Sequence, residues 1–77
     1  MEEMNYNVHY RENRIGTWIG VGFQSSESYC LNVARSLSAR LKDYQVVCRK
    51  TNDGKNWFNF AAFTNGIRVQ LADFDIE

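Results

Sequence analysis

His9 is the only histidine of the chain, so any acid–base scheme built on imidazole must use that residue, and a two-histidine metal site is excluded. Asn5, Asn7, His9 and Arg11 alternate with Met4, Tyr6, Val8 and Tyr10, which places His9 on the polar side of a half-buried strand. Cys30 and Cys48 have no C-x-x-C spacing and read as reduced core residues; the sharper alternative is a disulfide tying a helix to a strand. A nucleophile pair of His9 with either thiol requires a cysteine that leaves the core. Gly20-Val21-Gly22, ahead of a helix, has the beginning of a phosphate-binding turn, but the third glycine is missing and the strand reads as antiparallel. With no nucleophile, base and orienting group converging by spacing, the expectation is a protein without catalytic activity, metal or cofactor.

The other residues able to recognise something are aromatic and charged. Trp57-Phe58-Asn59-Phe60 beside Lys55, and Gly20-Val21-Gly22-Phe23, resemble fragments of the cold-shock family, whose aromatics stack on single-stranded bases. Here the fragments stand in reverse order with a helix between them, which does not support that barrel, and the two-helix order of an RNA-recognition motif is missing as well. Aromatics on neighbouring strands are more often core or cross-strand pairs. The net charge is zero, against a general polyanion binder, but it is unevenly placed. Residues 1–12 and 73–77 hold six acids and one base, a net −5, whereas residues 28–72 hold seven bases and two acids, a net +5.

The elements that must carry these residues follow from periodicity. After the first strand, Glu12, Asn13 and Arg14 turn the chain into a second, with Ile15, Thr17, Ile19, Val21 and Phe23 on one face and Gly16, Trp18, Gly20 and Gly22 on the other. Glycines around one tryptophan predict a bulge, a bend or a close backbone approach. A helix from Ser26 to Lys42 is expected, capped by Ser25 or Ser26, with Glu27 in its first turn and an apolar stripe of Cys30, Val33, Ala34, Leu37 and Leu41. Three strands follow: Tyr44–Lys50, Asn56–Thr64 after a type I′ signal at Asp53-Gly54, and a last one from Ile67 after Asn65-Gly66. Beyond Leu71 the phase inverts, so the last strand should end, bulge or leave the sheet near Ala72. The whole is a single α+β domain over residues 1–77, ββαβββ, with a mostly antiparallel sheet of about five strands and one helix on one face. The opposite face must meet water or a partner.

A domain of 77 residues gains ~120 kcal/mol from burial against an ordering cost of ~115 kcal/mol, so it has little core to give up to a substrate cavity. No apolar run spans a membrane, and Met1-Glu2-Glu3-Met4 lacks a signal-peptide pattern, so the expected location is cytoplasmic.

In length, in the single helix set into a meander, and in the acidic tail Asp73–Glu77, the chain resembles small phage-encoded inhibitors of the anti-CRISPR type. That resemblance implies action in a host cytoplasm on a nuclease or surveillance complex. The first functional expectation is accordingly a binding or inhibitor protein, with Trp18, Trp57, Tyr6 and Tyr10 as anchors and Asp73, Phe74, Asp75 and Glu77 docking on a basic protein groove. The alternative is single-stranded nucleic-acid binding through Trp18 and Trp57 with Arg49, Lys50, Lys55 and Arg68 on the open sheet face. A third is self-association, since proline-free edges invite pairing into a homodimer.

Overall fold

A computed structural model describes residues 4–74. Five strands, β1 (Asn5–Arg11), β2 (Ile19–Gln24), β3 (Gln45–Thr51), β4 (Phe58–Thr64) and β5 (Ile67–Val69), surround one helix, α1 (Glu27–Arg40), and a 3-10 turn closes the described chain at Leu71–Phe74. The sheet runs β2-β1-β3-β4-β5 with every neighbouring pair antiparallel, so the α+β class and the ββαβββ order are as expected.

Ser26, not Ser25, caps α1: its hydroxyl accepts the amide N–H of Tyr29 at 3.1 Å, with Glu27 in the first turn and Arg40 in the last. The helix stops two residues before Lys42. Asp43 takes a positive φ of 65° there, and its N–H donates to Asn65 Oδ1 at 2.8 Å. The buried stripe is also turned slightly from expectation, with Cys30, Ala34 and Ser38 fully buried and Leu31, Val33 and Leu37 packed around them. Ser38 is tolerated inside because its hydroxyl donates to the carbonyl of Arg35 at 2.9 Å and accepts the N–H of Gly66 at 2.9 Å. Asn65-Gly66 forms the expected two-residue hairpin, both residues at positive φ. Asp53-Gly54 does not. Six residues join β3 to β4, and the Asp53 carboxylate accepts the N–H groups of Lys55 and Asn56, each at 2.8 Å, which holds its pKa well below the usual carboxylate range.

The main core lies between helix and sheet: Val8, Cys30, Ala34, Val46, Cys48, Ala61 and Phe63. Both cysteines are buried free thiols, and the hydrogen bond between them together with burial pushes the Cys48 thiol up. Two bulges set which side chains reach this core. Between Cys48 and Arg49 the β3–β4 register shifts, so Phe60 and Ala61, although adjacent, both pack toward the helix. Between Asn7 and His9 the β1–β2 register shifts opposite Gly22, whose φ is 119° and whose N–H donates to Asn7 Oδ1 at 3.1 Å.

The face away from the helix is not wholly open. Val47, Ala62 and Phe74 form a second core there, with Trp18, Val69 and Leu71 against it. The inverted phase after Leu71 thus reflects a turn of the chain back onto its own sheet. This corrects the expectation for Phe74, which is 3% exposed and is an internal anchor instead of a docking residue. Asp73 is engaged in the same turn, accepting the N–H of Gln70 at 3.2 Å, while Asp75 and Glu77 lie outside the described residues.

Candidate functional site

Residues directly opposite on paired strands share a face, so the ladder sorts the candidates. Asn7 pairs with Phe23 on β2 and with Arg49 on β3, and Arg49 pairs with Asn59 on β4. This row lies away from the helix. His9 sits beside it, opposite Gly20 and Val47, and Arg11 pairs with Gln45.

Arg11 is only 9% exposed, yet its described partners are neutral: Nε donates to Gln45 Oε1 at 2.6 Å and Nη2 to the carbonyl of Phe74 at 3.0 Å. Its guanidinium carbon stands 4.3 Å from the centroid of the Trp18 ring, and that of Arg49 stands 5.6 Å from the same ring. Arg49 Nε donates to Asn59 Oδ1 at 2.8 Å. Among the described residues neither arginine has a carboxylate within ion-pair distance. His9 lies between them with a buried Nδ1 that has no hydrogen-bond partner in the described structure. Desolvation first, and then the charge of Arg49, lowers its pKa and so favours the neutral imidazole. Phe23, 75% exposed, stacks on Trp57 with centroids 6.0 Å apart and planes 18° apart.

The structure therefore groups Trp18, Trp57 and Arg49 but separates the rest of the expected sites from them. Tyr6 and Tyr10 belong to the helix-side core, edge-on to Phe60 at 6.0 Å and tilted against Tyr44 at 6.1 Å, so they do not join the tryptophans as anchors. Lys50 lies 5.3 Å over the Phe60 ring, and Arg68 pairs with Phe63, both on the helix side; Lys55 is in the exposed β3–β4 loop. The basic stripe of Arg49, Lys50, Lys55 and Arg68 is thus corrected to one arginine on this face. Consecutive strand residues point to opposite faces, which by itself splits Arg49 from Lys50. Three members of the site were missed from sequence. Arg11 and His9 were legible as strand parity with Asn7, whereas Phe23 was assigned to the wrong face because Gly22 inserts a residue.

A second surface lies at the sheet edge. β2 reads Ile-Gly-Val-Gly-Phe-Gln, without charge or proline, with Ile19 51% and Val21 44% exposed. Beside it, between β2 and α1, runs a groove of about 280 Å³ lined by Val21, Tyr29, Val33, Leu37 and Arg40. Among the described residues no helix is long and apolar enough to cross a membrane, and no three His, Cys, Asp or Glu side chains cluster as a metal site.

These features define a small α+β domain whose β2 edge carries exposed apolar side chains and whose face away from the helix is partly covered by its own second core. In comparison with known proteins, the chain matches no family model, no curated protein and no solved structure.

Proposed function

We propose that the chain is a non-enzymatic binding protein that acts in the cytoplasm by docking on a larger protein, blocking or tuning it. The observation that carries this reading is the β2 edge. Natural sheets blunt an exposed edge with charge, proline or short length, and β2 carries neither charge nor proline. An extended segment of a partner satisfies the edge by adding a strand, and its alternate side chains enter the apolar groove beside α1. The bulge at Gly22 confines that pairing to the Ile19–Val21 stretch. Resemblance to small phage-encoded inhibitors makes a host nuclease or surveillance complex the partner class to examine first.

The test compares wild type with Val21→Lys, which puts an edge charge on a half-exposed position, in affinity capture from the native cells with and without nuclease treatment. A nuclease-resistant protein partner that is bound directly by wild type and lost in the folded Val21→Lys variant supports the proposal. An identical captured set for both proteins overturns it, as does a Val21-dependent homodimer in sedimentation with no other partner.

A further inference from the structure

We infer that the face carrying Phe23, Asn7 and Arg49 binds single-stranded nucleic acid, one base stacking on the outer side of Phe23 and the adjoining phosphate meeting Arg49. Two independent observations converge. The first is a built stacking platform: Phe23 is largely exposed on one side and backed on the other by Trp57, in near-parallel planes. A ring left open to solvent but held flat from behind suits a nucleobase, because every base offers a π face whatever its sequence.

The second is the charge on the same row. Phe23 and Arg49 are the two cross-strand partners of Asn7, so their backbones are two strand spacings apart, roughly 10 Å, within reach of a base and its own phosphate. Among the described residues Arg49 hydrogen-bonds through Nε alone, to Asn59, which leaves its two terminal nitrogens for an anion. Asn7 spends its carbonyl on the N–H of Gly22 and keeps an amide donor beside the platform. Arg11 behind Trp18 adds positive field, and among the described residues no carboxylate pairs with either arginine to oppose a phosphate. An acidic protein segment would use the arginines but leave the aromatic platform without a role, so nucleic acid is the occupant these residues fit.

The face is separate from the β2 edge groove, and the test keeps the two apart. Labelled short oligothymidylate and oligouridylate are titrated by anisotropy at about 20 mM salt and again at higher salt, the two sugars distinguishing DNA from RNA. Wild type should bind at low salt. Phe23→Ala should lose about ten-fold in affinity, and Phe23→Leu, which preserves an apolar contact with Trp57 but removes the flat ring, nearly as much. Arg49→Gln should weaken binding and reduce the slope against log salt by roughly 0.7. Arg68→Gln, on the opposite face, and Val21→Lys, at the edge groove, should bind as wild type does. No binding at low salt, equal displacement by duplex, or wild-type affinity in Phe23→Ala and Arg49→Gln overturns the inference; so does oligoglutamate binding where oligonucleotide does not.

Discussion

The guanidinium of Arg11 donates a 3.0 Å hydrogen bond to the carbonyl of Phe74, joining the first strand to the last described turn across 63 positions of the chain. The same group bonds Gln45 and lies over Trp18, so a single buried cation holds the end of β1, the start of β3, the β1–β2 connection and the C-terminal turn together. This cation ties Phe74 and Trp18, two members of the second core, to β1.

Removing that tie should be costly. Arg11→Met should lower stability by about 2–3 kcal/mol in urea titration, because hydrogen bonds from a charged donor are lost and the buried Phe74 carbonyl loses this donor. Arg11→Lys restores the charge but not a planar fork able to serve Gln45 and Phe74 at once, so it should recover less than half of the loss.

Phe74→Ala should cost about 3 kcal/mol through the cavity left against Val47 and Ala62. The effect should be local first. Amide exchange in β5 and the 3-10 turn should accelerate more than in β1 or β3, whose helix-side packing does not involve Phe74. Uniform acceleration would show that the second core has no independence from the first.

His9 should make stability depend on pH in a defined direction. Its folded pKa lies below the ordinary imidazole value of 6.5, so just below that pH the unfolded chain binds more protons than the folded one. The stabilisation is complete above about pH 6.5 and declines as pH falls toward the folded pKa. Urea midpoints should therefore drop from pH 7.5 to pH 5.5 in wild type and drop less in His9→Gln, which cannot titrate.

Two turn glycines should respond differently to the same change. Gly66 and Gly54 both have positive φ, at 80° and 76°, but a Cβ on Gly66 would stand 3.1 Å from the Ala39 Cβ, whereas one on Gly54 meets nothing within 4 Å. Gly54→Ala should cost about 1 kcal/mol from backbone strain alone. Gly66→Ala should cost more, because the hairpin must also move away from α1 and weaken the bond from Gly66 N–H to Ser38. Thermal unfolding of the two variants measures the difference.

Much of this molecule was legible in its residues. The parity of Asn7, His9 and Arg11 against Tyr6, Val8 and Tyr10 survives intact in the fold, as do the Ser26 cap, the Asn65-Gly66 hairpin and the departure of the chain from the sheet after β5. These are local effects: strand alternation, an orphan amide at a helix start, and a turn needing positive φ each depend on a few adjacent residues. The Asp53-Gly54 signal failed because the Asp53 carboxylate, by gathering the amides of Lys55 and Asn56, stabilises a longer loop than the dipeptide alone suggests.

The candidate site was decided elsewhere. A bulge changes strand parity by one residue, and whether Gly22 or Phe60 bulges depends on the pairing partner, so neither the emergence of Phe23 beside Trp57 nor the separation of Arg68 from Arg49 could be read along the chain. The acidic tail reads along the chain as a free docking element, but Phe74 turns inward because Val47 and Ala62 leave an apolar surface that water would otherwise cover. Local periodicity determined the elements and their order. Only the tertiary structure, by bringing β1, β3, the segment around Trp18 and the last turn onto one face, determined which arginines stand without a carboxylate among the described residues and which aromatic ring is exposed there.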